Sequence, residues 1–120
     1  MSELKERFEK ILRYLSDEYK VKTPELLFCD NLYVPLSSVS NWKLNNYGNG
    51  AYIIKTKTII LELYNPKTNE RYSDNALFHC LIHEFVHHLE DQLYGDFGTH
   101  KGRFAYLVGK IKKEIIEKSL

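Results

Sequence analysis

Cysteine is scarce. Cys29 and Cys80 are the only two, and they stand far apart in the chain. They form no CxxC pair, which excludes a zinc site built from paired thiolates. Two core thiols of an intracellular protein are the plain reading, with a bridge between them the alternative if the source is a hyperthermophile. A dominant charge is missing too: 17 Lys and Arg face 16 Asp and Glu, for a net +1, so no global field draws the chain to a polyanion. Long apolar runs are absent, because Lys and Glu break every one before it reaches the length of a membrane span. The opening "MSELKERFEK" is charged throughout and lacks the apolar stretch of a secretory signal. These absences lead us to expect an intracellular, cytoplasmic protein without a membrane partner. No repeat or low-complexity tract is visible. With 120 residues and 43% hydrophobic content, the chain can bury one real core, so residues 1–120 are read as a single domain.

What is present has a clear order. Leu4, Phe8, Ile11, Leu12, Leu15 and Tyr19 recur at steps of three and four, predicting a helix over 3–20 with Ser2 as its cap and Thr23-Pro24 as its close. "ELLFCD" (25–30) reads as a strand. Residues 31–50 are rich in Asn, Ser and Gly and read as a loop, with a short strand around 38–44. "AYIIKTKTIILELY" (51–64) is dense in β-branched and aromatic residues and long for one strand, which predicts a hairpin turning near Lys55 to Lys57. After a loop at 65–75, Ser73 or Asp74 caps a helix from 75 to about 94, ended by Gly95. Thr99 then caps a last helix with Phe104, Leu107, Val108, Ile111, Ile115 and Ile116 as its buried stripe. Helix, strands, then two helices predict an α+β domain: a small, mostly antiparallel sheet packed against an N-terminal, a middle and a C-terminal helix.

The middle helix carries the chemistry. "LIHEFVHHLE" (81–90) sets polar residues into an otherwise apolar stripe. His83 and His87 are four apart, so their side chains lie one above the other on the helix and can converge on one ion. Glu84 follows the first histidine, where it can reach a water without binding the metal itself. This is the HExxH pattern of helical zinc proteases, with Glu84 as general base. His79 makes a second i, i+4 pair with His83 but has no glutamate after it, so it is read as a supporting or surface residue. His88 points about 100° away from His87 and is read as a solvent or packing residue.

A catalytic zinc takes three protein ligands and leaves one position open. Position 93 is leucine, so the third histidine of the metzincin pattern is missing. His100 is the candidate third ligand, provided the turn "YGDFGT" folds the start of the last helix back onto the metal helix. Glu114, Glu117, Glu90 and Asp91 remain competitors. Tyr94 and Tyr106 stand near in sequence as further donors to an oxyanion.

"NALFHCLIHEFVHHLED" followed by "GTHKGRFAYLVGKI" resembles the SprT-like zinc metalloproteases, in which an HExxH helix leads through a short turn to a histidine opening an "HGxxFxxxxxxI" helix. On that resemblance His83, His87 and His100 are the metal ligands, Glu84 is the base and Phe104 is the family's aromatic residue. "GNGAYIIKTKTIILELY" is similar to the family's preceding hairpin and strand. The likeness covers roughly residues 48–112. Gly102 falls one place later than the family's glycine, and the paired cysteines of a C-terminal zinc ribbon are absent. The resemblance implies a minimal zincin-like catalytic domain, Zn²⁺ as cofactor and hydrolysis of peptide bonds.

A protein or peptide substrate is therefore expected, lying along a sheet edge, with the strand ending at Leu63 as platform. The tail "KEIIEKSL" is a candidate occupant of the same cleft. Two other readings stay open. One is a minigluzincin-like or ImmA/IrrE-like peptidase with a glutamate as third ligand. The other is a metal- or DNA-binding module without catalysis. The last twenty residues hold Lys101, Arg103, Lys110, Lys112, Lys113 and Lys118 against Glu114 and Glu117, six minus two or +4, which offers a weak contact for nucleic acid.

Overall fold

The computed structural model describes residues 2–32, 43–45, 48–95 and 102–120. Helix α1 (Ser2–Tyr19) is followed by strands β1 (Glu25–Cys29), β2 (Lys43–Asn45), β3 (Gly48–Ile53) and β4 (Thr58–Glu62), then helix α2 (Asp74–Leu89) and helix α3 (Gly102–Glu117). The four strands form one sheet in the order β1-β4-β3-β2. β4 pairs antiparallel with β3 and parallel with β1, while β2 pairs antiparallel with β3. The fold is thus α+β with a mixed, mostly antiparallel sheet, as the element order implies.

Each element has a local cause. α1 buries Phe8, Ile11, Leu12 and Leu15, the middle of its predicted stripe, with Leu4 and Tyr19 packed at the margins. It stops earlier than Pro24 requires. Lys20 takes a left-handed backbone (φ 56°), and the Val21 amide donates to the Ser16 carbonyl at 3.0 Å, a Schellman closure made without glycine. β4 lies inside the sheet, and Thr58, Ile59, Leu61 and Glu62 are all buried, which suits its nearly unbroken apolar run. The hairpin turns over residues 54–57, as expected, with Lys57 at φ 54°. The strand expected around 38–44 has its described part at β2; residues 38–42 lie outside the described residues, as do the turn at 96–99 and the Thr99 cap.

α2 begins at its predicted cap: the Ser73 hydroxyl accepts from the Ala76 amide at 3.1 Å, worth about 1 kcal/mol. It lies across β3 and β4, touches α1 and receives α3. The regular helix ends at Leu89 rather than near residue 94. Residues Glu90–Tyr94 form one wider π-helical turn, closed by a 2.7 Å bond from the Gly95 amide to the Glu90 carbonyl, with Gly95 left-handed at φ 69°. α3 buries Phe104, Leu107, Ile111 and Ile115. Ile116, assigned to that stripe from its spacing, is 68% exposed, because the stripe runs on the Leu107–Ile111–Ile115 line and Ile116 has turned past it.

Two expectations are corrected here. The strand ending before Leu63 is no edge platform, since β4 is paired on both sides. The tail, expected in the substrate cleft, lines a cavity with Arg7, Phe78 and His79. It continues α3, and Leu120 folds back so that its amide donates to Ile115 (3.2 Å) while Arg7 donates to its carbonyl (3.2 Å). Cys29 and Cys80 form no disulfide with each other; burial, then Glu62 and Asp30, pushes Cys29 up to about 11. Among the described residues, no helix is long and apolar enough to cross a membrane.

Candidate metal centre

α2 presents two polar faces to two neighbours. Cys80, Glu84, His88 and Asp91 succeed each other at helical spacing and meet β3. Gly50 lies against Cys80 and Glu84, and Tyr52, two residues along the same strand face, meets His88 and Asp91. His83, His87 and Glu90 form the second face, which looks toward the start of α3.

On the second face the two imidazoles converge. Their Nε2 atoms are 3.2 Å apart, with ring centroids at 4.8 Å. Two nitrogens bound to one tetrahedral zinc at about 2.0–2.1 Å stand about 3.3 Å from each other, so the separation of the pair matches such an ion. Phe104 packs on both rings, its centroid 4.9 Å from that of His83 and 4.6 Å from that of His87. It brings the first turn of α3 onto the pair and shields it on one side.

Glu84, one residue after His83, is buried on the face toward β3, and its Oε1 accepts no hydrogen bond. Burial pushes its carboxyl up to about 8. A carboxylate in that setting calls for a cation or a proton donor at close range. The two imidazoles, with a buried acid one residue from the first, are therefore compatible with a zinc ion.

The competitors for the third position are spread elsewhere. Glu90 is buried, but its Oε2 is 3.0 Å from the Arg103 guanidinium and its Oε1 faces Nδ1 of His87 at 4.0 Å, the wrong end of the ring. Asp91 takes the Lys57 ammonium at 2.7 Å and the Tyr52 hydroxyl at 2.7 Å. Glu114 accepts from the Tyr14 hydroxyl at 3.4 Å, and Glu117 is exposed. Among the described residues no three His, Cys, Asp or Glu side chains gather as a metal-binding group. His100 lies outside the described residues.

The remaining histidines have separate places. His79 is half-buried, with burial and then Lys112 pushing it down from its ordinary value. His88, read from sequence as a solvent or packing residue, is fully buried and ties three segments together. It bonds the Lys22 carbonyl through Nε2 (2.6 Å) and the Tyr52 hydroxyl through Nδ1 (2.8 Å). Burial pushes it below the ordinary imidazole range, so Nε2 donates to Lys22 and Nδ1 accepts. The one phenol proton of Tyr52 then serves both His88 and Asp91. This tie was missed in the sequence, although polar residues at 84, 88 and 91 on an apolar helix were a signal for it. Tyr94 and Tyr106 are at least half exposed, and Tyr94 carries the Arg103 guanidinium on its ring at 3.9 Å. The basic charge of α3 is partly used inside the fold: Lys110 lies 5.5 Å from the Tyr19 ring centroid and Lys118 5.9 Å from that of Tyr14.

The architecture defines an α+β protein with its conspicuous polar cluster on the helix that crosses the sheet. Its fold is similar to the crystal structure of Wss1 from Saccharomyces cerevisiae, with a TM-score of 0.61 over 98% of this chain and 80% of that one, at 16% identity. At that identity the likeness is one of fold. No family model and no curated protein matches the sequence.

Proposed function

We propose that the chain is a zinc-dependent metallopeptidase of SprT-like, zincin type, hydrolysing peptide bonds in a protein or peptide substrate. The observation that carries this reading is the 3.2 Å convergence of the His83 and His87 Nε2 atoms, with Glu84 buried one residue away. His83, His87 and His100 are the ligands we assign, and Glu84 the general base. A zinc ion held there supplies Lewis acidity to a water and to a peptide carbonyl.

The protein's own groups do the rest. His83 and His87 offer their Nε2 lone pairs from adjacent turns. Phe104 keeps water off one side of the pair. Glu84 accepts the proton of the attacking water at its carboxylate and passes it to the leaving amine. Gly50 lets the β3 backbone close against Glu84 and hold it. Among the described strands the sheet edges are β1 and β2. β2 stands beside β3, the strand that touches Glu84, and is the platform we assign to an extended substrate.

The test is metal analysis alongside cleavage of unfolded casein, with and without a chelator. Wild type is expected to hold one zinc and to lose activity to the chelator. Glu84→Gln is expected to keep its zinc and to lose about 100-fold or more in turnover. A wild-type protein without zinc, or a Glu84→Gln variant that cleaves like wild type, overturns the reading.

A further inference from the structure

We propose that Glu90 is a positioning residue for His87, selecting which nitrogen of that ring faces the metal position. The inference rests on the metal reading above. An imidazole can ligate through Nε2 only if that atom carries a lone pair, which puts the proton on Nδ1. In His87 the two nitrogens have different neighbours: Nε2 meets His83 Nε2 at 3.2 Å, and Nδ1 stands 4.0 Å from Glu90 Oε1, a charge contact longer than a hydrogen bond. A carboxylate beyond Nδ1 favours the tautomer with its proton there. It also offsets the positive charge the ring gains on ligation.

Glu90 is built for this and not for the surface. It is 0% exposed, and its Oε1 accepts no hydrogen bond. Its other oxygen takes the Arg103 guanidinium at 3.0 Å, and that guanidinium in turn lies flat on Tyr94. Glu90 opens the π-helical turn and Tyr94 ends it. One arginine from α3 therefore meets both ends of that turn.

The alternative is that Glu90 only anchors α3 through Arg103. The full chain, stripped of metal, is titrated with zinc against a chromophoric chelator, and the melting temperature of the metal-free protein is read in parallel. Glu90→Gln keeps the volume and can still accept from Arg103. It is expected to weaken zinc about 10- to 100-fold with little change in the metal-free melting temperature. Arg103→Gln leaves the carboxylate on His87. It is expected to lower the melting temperature while changing zinc affinity less than about threefold, because the group beyond Nδ1 is still there. Glu90→Asp, which draws the charge back by one methylene, covers the case in which the glutamine variant does not fold, and is expected to weaken zinc by about threefold or more.

Wild-type affinity in Glu90→Gln, or in Glu90→Asp if the glutamine variant does not fold, overturns the positioning role. Equal losses in Glu90→Gln and Arg103→Gln overturn it also, since Glu90 would then act through α3. A wild-type chain that binds no zinc overturns the metal reading itself, and the role of Glu90 with it.

Discussion

Gly50 and Glu84 touch across the junction of β3 and α2. A Cβ placed on Gly50 would stand 3.2 Å from Glu84 Oε2 and 3.1 Å from its Cγ, and would overlap the Cys80 sulfur. Gly50 is not among the residues with positive φ, so close approach and not backbone conformation is what asks for glycine. Gly50→Ala is expected to destabilise the fold by about 1–3 kcal/mol through overpacking, read by urea unfolding. Adding Cys80→Ala vacates the sulfur position and should return part of that loss. A Gly50→Ala protein as stable as wild type would show that α2 does not press on β3 there.

The ligand set separates by single substitutions. His83→Ala and His87→Ala are each expected to abolish stoichiometric zinc, and His100→Ala to weaken it severely. Glu114→Ala should bind zinc as wild type does, because Glu114 is bonded to Tyr14 on α1. Tight zinc in the His100 variant, together with loss in the Glu114 variant, would move the chain to a glutamate-ligated class.

Acid should loosen the opposite face of α2. Burial alone would raise the Asp91 carboxyl, but hydrogen bonds from Lys57 and Tyr52 outweigh it and hold the group below its ordinary value. A carboxyl depressed in the folded state contributes stability that is complete above the unfolded value, about 3.9, and disappears as pH falls through the lower folded value. The gap in unfolding free energy between wild type and Asp91→Asn should therefore be widest above about pH 5 and should shrink as pH falls through the lowered folded value. A gap independent of pH would mean that Asp91 is not held by these partners.

Tyr52→Phe removes a phenol that serves His88 and Asp91 together. Buried His88 and partly buried Asp91 lose their shared donor, an expected cost of about 1–3 kcal/mol measured by thermal or urea unfolding. Bound zinc should be retained, since His83 and His87 lie on the other face.

Truncation after Lys112 is expected to lower the melting temperature without activating the protein. It deletes Ile115, 1% exposed, and the Leu120 closure against Ile115 and Arg7. Losing one buried isoleucine alone costs about 2–5 kcal/mol. A truncated chain that is more active and equally stable would restore the tail as an inhibitor.

Much of this was legible because it is local. The period of α1, the Ser73 cap, the turn at Lys55 to Lys57 and the left-handed Gly95 each depend on a few neighbouring residues, and so does the convergence of His83 and His87. Properties set by distant partners were not. Whether β4 is an edge depends on β1, which is far off in sequence and pairs with it in parallel. Spacing placed Glu90 near the face of His87, but only the fold shows which end of the imidazole it meets. His88 looked incidental because its partners, Tyr52 and the Lys22 carbonyl, come from two other elements. The regular helix was expected to run to about residue 94, and no single residue there announces a wider turn.

The two sides of α2 meet different neighbours and share little beyond the helix backbone. A change at Phe104 on α3 can reshape the imidazole pair while leaving the strand-facing acid undisturbed, and a change in the hairpin can retune that acid while leaving the pair alone. Ion preference and proton handling can thus drift apart over evolutionary time, each adjusted from its own flank of a single sixteen-residue rod.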